Sequence, residues 1–506
     1  MSRFKNLFGM LLITALFLFT AKVEATELVI WHTNDFHGRI LDTDERGETT
    51  GIAWLVAAIK NLKAQNPNSL WLDAGDIFHG MPVINVSNGK NMLDILNISQ
   101  SPDAITLGNQ DFDYGIDAII GFAKNAKFDI LDANVVYKKN NKPLLKPYNI
   151  YTLPNNIKVG VFGLATPETA YKTRPSLVAD INFLNPVDTA KKMVKELRSK
   201  CDVVIAVTHL GLEEDAEFPS SRIAKEVEGI DIIVDGHSHT LLPNGLTIGK
   251  TLIVQTGAYA YNLGKVTVEV DRHKVVDKRA ELINKKSIKE IAGSEDKAVL
   301  KAIDEMNQRN KKLFDEVIGE SSKFLSGERD LVRTQEMELG DFIADAFRWF
   351  GKSDIGVVNA GGIRGDIPVG KVTKGNMIAI FPFGNQLQVA EIKGSAIRKM
   401  LNHSVSAYPE TVGVFLQVSG IKFTFDPALP AENRVVGEIL INGQPLDDNK
   451  IYTIAAFDFL FEGGNNYNCF KDIKIIGKYG TGEEILEEYL KKVGTDNIEM
   501  GRIFMK

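Results

Sequence analysis

From Glu27 to about Val270 the chain repeats one pattern: a short run of Val, Ile and Leu without alternation, then a stretch with apolar positions at helical spacing. Uninterrupted apolar runs indicate strands buried on both faces, so the pattern predicts a sheet layered with helices, an α/β domain. The segments Ile52 to Gln65 and Pro186 to Lys200 are its clearest amphipathic helices. Between Ser287 and Glu320 the pattern changes. Leu300, Ile303, Met306, Leu313 and Val317 recur at near-helical spacing among many charged residues, which predicts one long, solvated connecting helix. A second, mixed α/β domain is expected from Ser322, with a helix over Leu339 to Phe350, a strand over Ile355 to Asn359 and a glycine turn from Ala360 to Arg364. At 506 residues the chain is too long for one core. The expected division is residues 26–285, a linker over 286–321, and 322–506.

Five apolar runs end in residues that bind metals. They end in Asp35 and His37, in Asp76, in Asn109, in His209, and in His237 and His239. Asp35 and His37 are two residues apart and project the same way from an extended chain. In α/β sheets ligands sit beyond the carboxyl ends of the strands, which joins these seven residues into one expected site. Singly, each has a mundane use as a cap or a turn residue; seven at strand ends point to an active site. The set exceeds what one four-coordinate ion needs and suits two adjacent ions bridged by a carboxylate, for which Asp76 is placed. Imidazole, amide and carboxylate donors fit Zn, Mn, Fe or Co. Two such ions lower the pKa of a shared water to about 7 and clamp the oxygens of an in-line displacement at phosphorus. His79, His273 and His403 read as structural or surface residues.

Composition narrows the partner. A net charge of −6 offers no basic surface for a nucleic-acid polymer, which leaves a small molecule held by a few local cations. Arg329, Arg333 and Arg364, near turn or Gly-rich segments, are of the type that grips phosphate. Residues 1–25 read as a secretory signal: Arg3 and Lys5, an apolar run from Leu7 to Thr20, then Val23-Glu24-Ala25. The mature chain is expected to start near Thr26, in the periplasm or outside the cell, with no membrane span after cleavage. Cys201 and Cys469 stand far apart and are expected to be free thiols.

The blocks Asn34-Asp35-Phe36-His37, Gly75-Asp76, Gly108-Asn109-Gln110-Asp111-Phe112-Asp113, Thr208-His209 and Gly236-His237-Ser238-His239 resemble those of the calcineurin-like metallophosphoesterases. With its second half, the mature chain resembles the secreted 5′-nucleotidase / UDP-sugar hydrolase / 2′,3′-cyclic phosphodiesterase family. The resemblance implies a four-layer sheet sandwich followed by a mixed α/β substrate-binding domain. It implies one divalent ion on Asp35, His37, Asp76 and His239, and a second on Asp76, Asn109, His209 and His237. Asn109, Gln110 and Asp113 become the candidate catalytic residues. Arg329, Arg333 and Arg364 would hold phosphate, Phe383 and Phe459 would sandwich a base, Asn385 would contact its edge, and Asn465 would meet the ribose. The implied reaction is hydrolysis of nucleoside 5′-phosphates, with the substrate bridging two domains that close on it.

The chain departs from the family pattern twice. Gln110 stands where the family has the His of Gly-Asn-His-Glu/Asp, and Asn465 where it has the Asp of Gly-Gly-Asp-Gly-Tyr. Gln donates a hydrogen bond but delivers no proton, and Asn lacks the charge that strengthens a bond to ribose. Nucleoside diphosphates, UDP-sugars and 2′,3′-cyclic phosphates therefore stay open as substrates, as does a nucleotide-binding protein with residual catalysis.

Overall fold

The computed structural model describes residues 25–42, 49–98, 102–214, 216–470 and 473–506. The expected signal segment lies outside them except for Ala25. Strand Thr26–Thr33 is central to a first six-stranded sheet. It runs parallel to Ser69–Asp73, which continues in parallel through Ala104–Ile105 to Asp129–Ile130. Its other neighbour is the antiparallel hairpin Asn262–Asp271 and Lys274–Asn284. A second sheet sets Lys158–Ala165, Val203–His209, Ile232–Asp235 and Thr251–Val254 in parallel, with antiparallel strands Tyr148–Thr152 and Leu246–Ile248 at its edges.

Successive side chains of a strand point to opposite faces, and here both faces are buried. Leu28 and Ile30 join Val159, Val161 and Ile205 in a core between the two sheets. Val29 and Trp31 face outward onto Ile52, Leu55 and Ile59 of helix Ile52–Gln65. On the second sheet Val204 and Ala206 face Met193 and Leu197 of helix Pro186–Leu197. The result is helix, sheet, sheet, helix, the only layering that hides both faces of unbroken apolar strands. Each fully buried side chain of this kind contributes roughly 1.5–3 kcal/mol.

The expected single connecting helix is two. Helix Lys285–Ala292 stops at Gly293, whose φ of +68° a glycine adopts at no steric cost. Asp296 then caps helix Lys297–Phe314 by accepting from the Ala298 and Val299 N–H groups. This second helix is not a solvated strut: Val299, Ile303 and Met306 are buried against the first layer of helices. Val317 lies beyond it, in strand Val317–Ser321 paired with Gly370–Thr373.

The second half is built on a five-stranded sheet in the order Leu416–Ser419, Ile355–Asn359, Ile451–Phe457, Gln386–Lys393 and Lys474–Thr481. Helix Glu338–Gly351 packs on it through Phe342, Ile343 and Phe347. The strand expected at Ile355–Asn359 has those bounds, and the glycine turn after it is a single 3-10 turn, Ala360–Gly362. The halves meet where Arg174 Nη1 lies 3.2 Å from Asp458 Oδ2 and the Ser176 N–H donates to Glu462 Oε2. Cys201 and Cys469 are free.

Candidate active site

The parallel strands ending at Thr33, Asp73, Ile105, His209 and Asp235 deliver their carboxyl ends to one edge of the sandwich. The side chains converge there through tight turns, not through strand alternation as the spacing of Asp35 and His37 suggested. Asp35, His37, Asp76, His237 and His239 all have left-handed φ, between +47° and +79°. Asp and His tolerate that region better than branched residues, at a cost the surrounding contacts must cover. Those contacts are close. A Cβ on Gly75 would stand 2.3 Å from Gly108 N, and one on Gly108 would stand 2.1 Å from Asp76 Oδ1. Asp111 ties both loops together, its carboxylate accepting from the N–H groups of Asp76, Ile77, Phe78 and Gly108.

Two groups of ligand atoms result, Asp35/His37/His239 and Asp35/Asp76/His209, each with its atoms within 4.8 Å of one another. Asp35 belongs to both. Asp76 Oδ2 also lies between them, 3.9 Å from His37 Nε2 and 3.4 Å from His209 Nε2. The donor set fits divalent cations on a further count. His209 Nδ1–H donates to the Ala74 carbonyl at 2.6 Å, which leaves Nε2 as the nitrogen that would meet a metal once its proton is displaced. That Nε2 and the Asn109 Oδ1 are buried without a hydrogen-bond partner among the described residues. Although burial opposes ionisation, His239 holds the Asp35 carboxyl below the usual range, and His209 does the same for Asp76. Against burial, Asp76 and Asp35 raise His209 to about 10. A proton on His209 is thus a cation held between two carboxylates, and a divalent ion would satisfy the same demand.

His237 lies outside both groups, its ring 5.1 Å from that of His209. Its Nε2 is 3.0 Å from Glu168 Oε2 and 2.9 Å from Lys172 Nζ. Donation from Nε2–H to Glu168 leaves Nδ1 with its lone pair, the tautomer a metal ligand requires. Glu168 was missed in the sequence, yet the strand-end rule reaches it: Thr166-Pro167-Glu168 follows the apolar strand Lys158–Ala165, a sixth run of the same kind.

Above the ligands opens a cavity of about 400 Å³ that reaches both halves of the chain. Asp76, Asn109, Gln110, Asp113, His237 and His239 line one side; Arg329, Arg333, Arg364, Phe383, Asn385, Phe459 and Asn465 line the other. Asp35, His37 and His209 lie buried beneath. Burial, then the charges of Arg329 and Arg364, push the Arg333 guanidinium well down, the mark of cations gathered without enough anions. Asp113, with no imidazole beside it, accepts from Thr173 Oγ1 at 2.6 Å and is pushed up to about 8, chiefly by burial. Phe383 stacks on His79 at 4.8 Å, so of its two readings, structural or surface, His79 takes the structural one, a buried residue behind the lining of the cavity. His403 lines the cavity itself, its Nε2 bonding the Asn465 carbonyl at 2.8 Å. His273 is a surface residue, paired with Asp202.

Residues 28–241 match the calcineurin-like phosphoesterase family, and residues 317–472 match the 5′-nucleotidase C-terminal domain. A snake venom 5′-nucleotidase from Naja atra is 30% identical over 92% of this chain and 96% of its own length. The trifunctional nucleotide phosphoesterase protein YfkN of Bacillus subtilis is also 30% identical over 92% of this chain, which spans 34% of that longer protein. Among solved structures, a 5′-nucleotidase precursor from Thermus thermophilus superposes with a TM-score of 0.81 at 30% identity, covering 95% of this chain and 99% of its own.

Proposed function

Because the chain belongs to the 5′-nucleotidase family, in which a calcineurin-like phosphoesterase unit precedes a 5′-nucleotidase C-terminal domain, we propose that it is an exported two-metal phosphohydrolase of nucleoside 5′-phosphates. The observation that carries the reading is one cavity joining two Asp/His ligand groups to three arginines and two phenylalanines. In this reading residues 26–285 hold the ions, 286–321 connect, and 322–506 hold the nucleotide. Asp35, His37, Asp76 and His239 take one ion; Asp76, Asn109, His209 and His237 take the other. When bound, the ions supply positive charge at the phosphoryl group and a water acidic enough to attack it.

The chain's own residues do the rest. Arg329, Arg333 and Arg364 neutralise phosphate, and their mutual repulsion is relieved when it arrives. Phe383 and Phe459 present apolar faces to the base, with Asn385 and Asn465 beside them. Gln110 donates to a phosphoryl oxygen. Asp113 stays oriented by the hydrogen bond it accepts from Thr173 Oγ1.

A second reading rests on Gln110. With no imidazole at this position to protonate an alkoxide, phosphoanhydrides such as nucleoside diphosphates and UDP-sugars become the better substrates. The test is phosphate release from AMP and ADP by the chain from Thr26 onward, loaded with Mn or Zn. Robust AMP hydrolysis supports the first reading, and ADP hydrolysis with little from AMP supports the second. Tight, metal-dependent nucleotide binding without turnover would mark a binding protein and defeat both.

A further inference from the structure

Gln110 is a donor to a phosphoryl oxygen only if its amide points the right way. The two ends of a Gln side chain have the same shape and opposite hydrogen-bonding character, so a free amide presents the wrong end as readily as the right one. One neighbour decides this. His79, on the loop that follows Asp76, places its Nδ1 3.3 Å from Gln110 Oε1. The ring is itself fixed: it is 1% exposed, it stacks on Phe383 at an interplanar angle of 9°, and it lies 5.4 Å from the Tyr114 ring. Its Nε2 is buried without a hydrogen-bond partner among the described residues.

We propose that His79 is a positioning residue for the reaction: its Nδ1–H holds Gln110 Oε1 and leaves the Gln110 amide N–H groups as the donors available to the cavity. The family's imidazole, missing at 110, is thereby present one residue away in space, as an orienter and not as an acid. Burial, with Arg364 adding to it, lowers His79 to about 4, so the ring is neutral at physiological pH and has one N–H to place. The Pro382 carbonyl is the other acceptor near the ring. Because Pro382 and Phe383 belong to the second half, the ring also connects the nucleotide pocket to the phosphoryl end of the site.

The inference rests on the proposed hydrolysis, and two measurements separate the failure of one from the failure of the other. In the first, the tautomer of His79 is read from imidazole ¹⁵N shifts of the metal-loaded protein. The Nδ1–H form is expected; an Nε2–H form overturns the proposal whether or not any nucleotide is hydrolysed. In the second, kinetics on AMP or ADP, whichever turns over, are compared for His79→Phe, Gln110→Ala and the double variant. A neutral hydrogen bond of about 0.5–1.5 kcal/mol corresponds to roughly a two- to twelvefold change. His79→Phe, which keeps the stack, should lower kcat by about that much with KM changed less than about twofold. His79→Gln, which keeps a donor, should restore most of the loss. In the Gln110→Ala background His79→Phe should do nothing further; an equal loss in both backgrounds would make His79 merely structural and overturn the proposal.

Discussion

Replacing Glu168 with Ala should weaken binding of the ion that His237 is proposed to hold, although Glu168 belongs to neither ligand group. Glu168 Oε2 accepts from His237 Nε2 at 3.0 Å, and its side chain is 18% exposed, so solvent replaces little of the bond when it is lost. Despite burial, the His237 bond and the Lys172 ammonium hold the Glu168 carboxyl well below the usual range, so it is ionised at any working pH. A hydrogen bond to a charged group contributes about 1.5–3 kcal/mol, or roughly 10- to 100-fold in affinity, the range found for partners of metal-bound histidines. Lys172 pushes the loss toward the upper end. Once Glu168 is gone, its ammonium, 2.9 Å from His237 Nε2, donates to that nitrogen and drives the ring proton onto Nδ1. Glu168→Gln keeps an acceptor and should cost about tenfold or less. Adding Lys172→Ala to Glu168→Ala should recover part of the loss. Mn²⁺ or Zn²⁺ titration against a chelator, with both sites followed, measures this. If Glu168→Ala folds normally and binds both ions as the parent does, the assignment of His237 as an oriented ligand is wrong.

Three further outcomes follow from the same geometry. His209, raised to about 10 by Asp76 and Asp35, must lose its proton to a metal, so binding at pH 7 should release close to one proton, seen as a buffer-dependent enthalpy in calorimetry and absent in His209→Gln. Phe459→Leu keeps apolar volume but loses the flat face, and should raise KM for a mononucleotide by about 5- to 150-fold, equivalent to the 1–3 kcal/mol of a stacked base, with the melting temperature little changed. Asp341 is raised to about 9, chiefly by burial, with Arg502 opposing. Its folded form therefore keeps a proton that the unfolded chain gives up near pH 4, and the stability this contributes is full below that pH and is lost as pH rises toward 9. Asp341→Asn should flatten that slope between pH 5 and 8 in denaturant titrations.

The layering was legible because it is a property of local pattern. Strands such as Val203–His209, apolar at every position but the last two, have no solvated face in any arrangement, so a sheet covered on both faces follows from the pattern, while its doubling into two stacked sheets came from the family resemblance. Helix Ile52–Gln65 and strand Ile355–Asn359 have the bounds their periodicity gives. Metal-binding residue types at strand ends were legible for the same reason, since the end of an apolar run can be read without knowing its neighbours.

What the sequence could not contain is whatever depends on two segments meeting. The solvated appearance of Lys297–Phe314 concealed a buried stripe, because burial is set by the helices it packs on. The partners of His237 and Gln110 come from elsewhere: Glu168 is 69 positions from His237, and His79 is 31 from Gln110. Asp35 and His37 reach one ligand cluster because left-handed turns, held where the Asp35 N–H donates to the Gly75 carbonyl and the His37 N–H to the Asp76 carbonyl, override the extended geometry their spacing implies. Residue type and strand-end position fixed which atoms could bind a metal or a phosphate. Which nitrogen of each ring carries the proton, and therefore which atoms are free to bind, was decided by contacts that exist only once the sheets have closed on one another.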